Sequence, residues 1–230
     1  MSLFAIGDLH LSLGGDKPMD IFGARWAQHH LRLEASFSRL VGPGDTTVLC
    51  GDLSWSMDLA GAKEDFLFIH RLPGKKYILK GNHDYWWSTA AKLRNFFQEL
   101  GIDSIEILHN SCGPYGEDVA LCGTRGWFYE EERSDAHDRK ILSRELGRLE
   151  TSLKLAGEKR KFVFLHYPPR YGDYRCREIL ELLRDYRAEV CCAGHIHGSA
   201  CRMAFEGVQD GVRHHLVSAD HLGFAPLRLL

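Results

Sequence analysis

Lys80-Gly81-Asn82-His83-Asp84 is the segment around which the rest of the chain is organised. It follows the apolar run Tyr77-Ile78-Leu79 and precedes a helical pattern, so we interpret it as a turn between a strand and a helix. Gly81 permits a tight backbone at the turn. Asn82 offers an amide oxygen to a divalent ion, and His83 can transfer a proton near neutral pH. On its own, such a stretch is equally typical of a plain turn with a helix cap.

The same pattern, a short apolar run followed by polar ligand residues, occurs at four other places in the chain. The polar residues at these places are Asp8 and His10, Asp52, His166, and His195 and His197. In extended backbone, residues two apart point to the same side, so both members of a pair can reach one ion. Ligands of open α/β sheets bind outside the carboxyl ends of the strands, so we expect these side chains to converge.

Helices and strands alternate through most of the sequence. Strands are predicted at 3–7, 46–50, 76–79, 104–108, 118–123, 161–165 and 188–192, and helices at 24–40, 59–71, 86–100, 135–156 and 174–186. Further strands are predicted in the tail at 199–204, 213–217 and 226–229, and Gly113-Pro114 indicates a turn. This order predicts an α/β fold in which two sheets pack together with helices outside. A length of 230 residues suits a single domain over 1–230.

Composition and charge exclude several classes of protein. A net charge of −2 disfavours a long nucleic acid as partner. No apolar stretch reaches the roughly 18 residues that a membrane span needs, and no signal peptide is recognisable at the N-terminus. The seven cysteines include no Cys-x-x-Cys pair, which favours a reducing, cytoplasmic location. Histidines outside the motifs, among them His29 and His214, are expected at the surface or on helix faces.

The polar set contains the donors that a two-metal site needs. Mixed imidazole nitrogens and side-chain oxygens suit transition metals such as Mn, Fe, Zn or Ni better than Mg or Ca. A bridging carboxylate can hold two such ions roughly 3.5–4 Å apart, which serves in-line displacement at phosphorus. A water or hydroxide held between the ions becomes the nucleophile, and the ions neutralise charge that builds on the phosphoryl oxygens.

Taken in order, Asp-x-His, Gly-Asp, Gly-Asn-His-Asp, His and Gly-His-x-His resemble the motifs of the calcineurin-like metallophosphoesterases, from Asp8 to His197. The resemblance implies an α-β-β-α four-layer sandwich and a phosphohydrolase that uses two divalent metal ions. It implies one ion held by Asp8, His10 and His197, a second held by Asn82, His166 and His195, and Asp52 as the bridge. It also implies that His83 is a catalytic general acid without holding metal, and that Asp84 orients the loop or His83.

Details of the motifs narrow the substrate. Asp52 is followed by Leu53-Ser54-Trp55-Ser56, whereas this motif continues into Asp-Arg-Gly in the protein phosphatases that the chain resembles, so a protein substrate is disfavoured. The continuation Asn-His-Asp-Tyr-Trp-Trp is similar to that of a group of small bacterial predicted phosphohydrolases. We therefore expect a small phosphorylated molecule, either a phosphomonoester or a phosphodiester.

Aromatic and basic residues beyond the strand ends are candidates for binding this substrate. They are Trp55, Trp86, Trp127, Arg125 and Arg170. Tryptophan faces could stack on a planar leaving group, and an arginine could clamp a phosphate oxygen. Two alternatives stay open: a cyclic-nucleotide or nucleic-acid phosphodiesterase, and a non-catalytic interaction scaffold on the same fold. The sequence leaves the oligomeric state undetermined.

Overall fold

The computed structural model describes residues 1–15, 17–128 and 136–230. The helices are α1 (His29–Leu40), α2 (Lys63–Arg71), α3 (Ala90–Glu99), α4 (Ala136–Leu155) and α5 (Arg177–Asp185). The strands are β1 (Leu3–Ile6), β2 (Thr46–Leu49), β3 (Lys75–Ile78), β4 (Ile105–Ile107), β5 (Cys112–Tyr115), β6 (Val119–Thr124), β7 (Arg160–Leu165), β8 (Arg170–Tyr171), β9 (Tyr174–Arg175), β10 (Ala188–Ala193), β11 (Gly207–Gln209), β12 (Val212–Leu216) and β13 (Leu227–Arg228).

Two mixed sheets form the centre of the protein. The first has the strand order β13-β1-β2-β3-β4, and the second has the order β11-β12-β10-β7-β6-β5. Strands β1 to β4 are parallel to one another, as are β6, β7, β10 and β12, while β5, β11 and β13 join antiparallel at edges. Parallel strands end at the same side of their sheet, so the polar residues that follow them are gathered there.

The alternation of side chains along the strands divides the core into layers. On β1, Leu3 lies in the cluster between the sheets, whereas Phe4 lies in the cluster beneath α1, α2 and α3. On β7, Phe162 faces the other sheet and Val163 faces α4 and α5. Both faces of each sheet are therefore apolar, as in parallel sheets covered on both sides. The result is the expected four-layer α-β-β-α sandwich.

Several predicted boundaries and elements differ from the structure. The segment predicted as a strand at 199–204 is a 3-10 helix, Gly198–Met203, which begins at a glycine with a φ of 62°. Gly113-Pro114 lies inside β5 instead of forming a turn, because β5 is an edge strand, where a proline is tolerated. Helix α3 begins at Ala90 instead of 86 because the Thr89 side chain caps it, accepting a hydrogen bond from the backbone N–H of Lys92 at 3.3 Å.

Other helices also begin later than predicted. Their observed starts are His29, Lys63 and Arg177, where 24, 59 and 174 were expected. The start of the helix predicted at 135–156 lies outside the described residues, and α4 is seen over Ala136–Leu155. His29 lies on a helix as expected, although its side chain is buried, whereas the expectation for His214 is wrong, since it is buried in β12. Tertiary packing decides these side chains, because His214 lies on the covered face of β12, and periodicity does not reveal that cover.

Candidate metal centre

The polar residues predicted at the strand ends come together in space. Two groups of side chains have ligand atoms within 4.8 Å of one another: Asp8 with His10 and His197, and Asp8 with Asp52 and His166. The residues reach this spot from the ends of β1, β2, β7 and β10, which belong to both sheets. Asp8 is common to the two groups, so its carboxylate lies between them.

The first group is compact and mostly buried. His10 Nε2 lies 3.3 Å from His197 Nε2, and His197 Nε2 lies 3.6 Å from Asp8 Oδ1. Asp8 has no exposed surface, and His10 is 4% exposed. Two imidazole nitrogens and a carboxylate oxygen at this spacing could hold a transition-metal ion.

The second group is arranged around His166. Its Nδ1–H donates to the carbonyl oxygen of Cys50 at 3.0 Å, so the other ring nitrogen, Nε2, is left with its lone pair. His166 Nε2 lies 3.5 Å from Asp52 Oδ2 and 2.6 Å from Asn82 Oδ1. Asn82 Oδ1 is also 2.8 Å from His195 Nδ1. The ligands predicted for a second ion are therefore in mutual contact.

The charges of the site fit a bound cation. Burial and the nearby Asp8 raise the pKa of Asp52 to about 8, because two carboxylates in a dry site repel each other. Burial lowers the pKa values of His10 and His195 to about 3, so both rings are neutral and keep a lone pair for metal. Burial opposes the charge on His197, but Asp8 and other acceptors outweigh it and raise its pKa to about 10. A divalent ion would replace that proton as the counter-charge of the carboxylates.

Tight backbone brings the ligands this close. Asp8, His10, Asp52 and His195 have φ values of 58°, 46°, 52° and 73°, in the left-handed region that L-residues seldom adopt. A Cβ atom at Gly81 would overlap the carboxylate of Asp52. Strained backbone of this kind clusters at functional sites, where the surrounding structure holds it in place.

His83 lies at the edge of this cluster and outside both ligand groups. Its backbone N–H donates to Asp52 Oδ1 at 2.8 Å, and its ring is 4.5 Å from that of Trp55. Trp55 also stacks on His10, with ring centroids 4.9 Å apart. Burial lowers the pKa of His83. The imidazole is therefore beside the proposed metal ligands without being one of them.

Asp84 is buried and points into the loops that carry the ligands. Its carboxylate accepts backbone hydrogen bonds from Gly81, Asp52 and Leu53 at 2.7–2.8 Å. Burial and the charge of Asp52 raise its pKa to about 7, and the backbone donors oppose that rise. Through these contacts Asp84 joins the loop that carries Asn82 to the loop that carries Asp52.

Asp220 is a residue of the site that the sequence analysis missed. Its Oδ1 accepts a hydrogen bond from His197 Nδ1–H at 2.9 Å, and its Oδ2 accepts one from the backbone N–H of Gly198 at 2.9 Å. This contact fixes which nitrogen of His197 faces Asp8. Asp220 is four residues beyond the end of β12, as His10 is beyond the end of β1, so the strand-end pattern could have found it.

The five predicted substrate-binding residues separate into two sets. Trp55 lies against His10 and His83, and Arg125 and Trp127 stack on each other, with the Arg125 guanidinium 4.8 Å from the Trp127 ring. The carbonyl oxygen of Arg125 accepts the backbone N–H of His166 at 3.0 Å, which places Arg125 next to the cluster.

Trp86 and Arg170 do not have the predicted position. Trp86 is 2% exposed and donates its indole N–H to Asp84 at 3.0 Å, so it has no free face for a substrate. The guanidinium of Arg170 lies 3.7 Å from the Phe205 ring and donates to Gln209 at 2.7 Å, which occupies it at the β11 edge. Trp86 is not available to a substrate because its large ring is buried, and Arg170 is not available because its guanidinium is already paired.

Solved structures with the same fold include three with similar coverage. A phosphopantetheinyl hydrolase from Mycobacterium tuberculosis has a TM-score of 0.59 and 14% identity, with 94% of this chain and 88% of that chain covered. A protein of unknown function from Aquifex aeolicus has a TM-score of 0.53 and 14% identity, with 99% and 95% covered. A protein from Thermus thermophilus has a TM-score of 0.55 and 10% identity, with 85% and 81% covered. At these identities the likeness shows the fold alone.

None of the described helices combines the length and the hydropathy that a membrane span requires.

Sequence comparison decides the family. No curated protein is significantly similar to this chain. The sequence model of the calcineurin-like phosphoesterases matches residues 1–199, which include every proposed metal ligand. The chain therefore belongs to the calcineurin-like phosphoesterase family, and it is a metal-dependent hydrolase that acts on phosphoester bonds.

Proposed function

We propose that residues 1–230, acting as one domain, form a phosphohydrolase with two divalent transition-metal ions and a small phosphorylated substrate. The observation that carries the proposal is that Asp8 belongs to two groups of ligand atoms at once. Two separate sets of donors meeting at one buried carboxylate are the protein's part of a paired-ion site.

Asp8, His10 and His197 would hold one ion, and Asn82, His166 and His195 would hold the other. Asp52 would bridge them, with Asp8 close to both. When bound, the ions lower the pKa of a coordinated water and offset charge on the phosphoryl oxygens. Mn, Fe, Zn and Ni all suit such a set of donors.

The chain's own contribution to catalysis is positioning and proton transfer. Trp55 packs against both His10 and His83 and limits the rotation of their rings. The imidazole of His83 would give a proton to the departing oxygen of the substrate. Its lowered pKa favours release of that proton, and the negative charge of a bound phosphate would raise the pKa as substrate enters.

Metal analysis and turnover of His83→Ala test the proposal. The variant should keep its metal and lose about 10²–10⁴-fold in turnover, the usual contribution of a general acid. The loss should be smaller for p-nitrophenyl phosphate, whose leaving group needs no proton, than for an alkyl phosphate. His70→Ala is the matched control, because His70 pairs with Ser104 at the opposite end of the first sheet. An equal loss on both substrates would show that His83 is not the acid.

A pair of synthetic substrates separates the two classes of phosphoester. With added Mn²⁺, hydrolysis of p-nitrophenyl phosphate but not of bis-p-nitrophenyl phosphate would assign a monoesterase, and the reverse would assign a diesterase. If the protein hydrolyses neither of these compounds nor any other phosphate ester, the result would favour the interaction scaffold. We place the nucleic-acid diesterase second, because the net charge of −2 gives a polyanion little attraction.

A further inference from the structure

A pocket of about 470 Å³ opens beside the candidate metal centre, at the carboxyl ends of β3, β4 and β6. It shares no residue with the proposed metal ligands. Charged and aromatic side chains on its walls are those of Lys80, Trp87, His109, Arg125, Glu145 and Arg148. Lys80 is two residues before Asn82, and the backbone of Arg125 is hydrogen-bonded to that of His166, so the pocket and the metal centre are neighbours.

The charge of the pocket is strongly positive for its size. Lys80, Arg125 and Arg148 bring three positive charges, and Glu145 brings the single negative charge among its lining residues, which leaves an excess of two. Glu145 is 1% exposed and is already engaged by Arg148 at 2.6 Å, whereas Arg125 Nη2 is 3.8 Å away. One carboxylate does not neutralise this cluster.

Hydrogen-bond donors in the pocket also exceed the acceptors. Arg125 Nε–H is buried and has no hydrogen-bond partner in the part of the chain that the structure describes. A buried N–H donor without a partner is costly, and an anion in the pocket would give this one a partner.

The start of α3 adds to the same field. Ser88 and Thr89 line the pocket, and Thr89 is the N-cap of this ten-residue helix. The N-terminus of a helix carries partial positive charge and exposed N–H groups that favour anions. Trp87 and Leu108 supply an apolar wall beside these donors.

Tyr167 contacts both the pocket and the metal centre. Its backbone N–H donates to the carbonyl oxygen of Arg125 at 2.9 Å, and its ring centroid lies 4.4 Å from that of His195. One residue therefore touches a wall of the pocket and a proposed metal ligand, so the two sites adjoin.

We propose that this pocket binds a second phosphate group of the substrate, one that is not hydrolysed while it is held there. The inference rests on the proposed phosphohydrolase function and narrows its substrate to compact molecules that carry two phosphate groups. One phosphate reacts at the metal centre, and the other is held by Arg125, Arg148 and Lys80.

Calorimetry on metal-free protein tests the pocket without turnover. Inorganic phosphate should bind the chelator-treated wild type at one site, and Arg148→Gln and Arg125→Gln should each weaken binding about tenfold or more, as expected for loss of a charge-assisted hydrogen bond. Arg144→Gln is the matched control, because Arg144 is on the same helix and exposed. Should Arg125→Gln fail to fold, Arg148→Gln and Lys80→Met carry the test. Absence of phosphate binding to the wild type, or equal binding by all variants, would overturn the proposal.

Kinetics with two related substrates give a second test of the phosphate pocket. For the Mn²⁺-loaded enzyme, the preference for glucose 1,6-bisphosphate over glucose 6-phosphate, measured as the ratio of kcat/KM, should fall about tenfold in Arg148→Gln, mainly through KM. The Arg144→Gln enzyme should keep the wild-type ratio. An unchanged ratio in Arg148→Gln would refute the subsite even though the enzyme is active. No phosphate release from any ester by the wild type would instead refute the proposed function, and calorimetry would still decide whether the pocket binds phosphate.

Discussion

Replacement of Asp84 by asparagine should destabilise the fold without removing any proposed metal ligand. Asp84 Oδ2 accepts hydrogen bonds from the backbone N–H groups of Gly81 and Asp52, at 2.7 and 2.8 Å. Its Oδ1 accepts from the backbone N–H of Leu53 at 2.8 Å and from the indole N–H of Trp86 at 3.0 Å. All these groups donate, so the residue at this position must accept on both sides.

The magnitude follows from the hydrogen bonds that asparagine cannot make. Its amide keeps one oxygen and places an NH₂ group where the second oxygen was. In either orientation of the amide, two of the neighbouring N–H groups therefore point at this NH₂ group and have no acceptor. A buried donor without a partner costs about 1–3 kcal/mol, which gives a loss of about 2–6 kcal/mol in the free energy of unfolding. A typical domain has only about 5–15 kcal/mol in total.

Urea denaturation of the metal-free protein, followed by circular dichroism, measures this loss. The metal-free form is required because bound ions would add their own stabilisation to the folded state. Asp173→Asn makes the same chemical change at an exposed position and should shift the free energy of unfolding by less than about 0.5 kcal/mol. A loss below about 1 kcal/mol for Asp84→Asn would refute the view that this carboxylate holds the ligand loops together.

Three further outcomes are expected. Asp52→Asn should reduce the metal content and abolish activity, and retention of both would show that the bridging assignment is wrong. Asp220→Asn should weaken Mn²⁺ binding about 10–100-fold in calorimetry by disturbing His197, whereas wild-type affinity would remove Asp220 from the site. Burial lowers the pKa of His214 to about 4, below the value of about 6.5 in an unfolded chain, so the unfolded state takes up the proton first and stability falls as the pH drops from about 6.5 to 4. In urea denaturation, the wild type should therefore lose about 2–3 kcal/mol more than His214→Phe over that range, and parallel pH profiles would contradict this.

The convergence of these Asp, Asn and His side chains was predictable from the sequence because it depends on a local rule. Each proposed ligand comes within four residues of the end of a parallel strand, and parallel strands gather their ends at one edge of a sheet. Asp8 and His166 are far apart in the chain, yet the same rule finds both. Asp220 obeys the rule as well, and it was missed because the tail was expected to supply only strands.

The phosphate pocket could not be predicted in the same way. Glu145 and Arg148 meet Arg125 only because α4 packs on β6 in one particular orientation, and helical periodicity does not fix that orientation. The orientations of the adjacent Trp86 and Trp87 could not be predicted from the sequence either. The first is buried against Asp84 and the second lines the pocket, and only the loop geometry decides which ring turns inward.

Four of the proposed metal ligands have left-handed backbone, which lowers the stability of the folded protein, although the proposed chemistry needs their side chains. They are Asp8, His10, Asp52 and His195. Left-handed backbone costs an L-residue roughly 1–2 kcal/mol, and glycine adopts it without that cost. Glycine at such a position would relieve the strain while deleting a side chain that the chemistry needs. A laboratory selection for heat resistance alone would therefore enrich substitutions among the candidate metal ligands, and its most stable products would lack one or more of them.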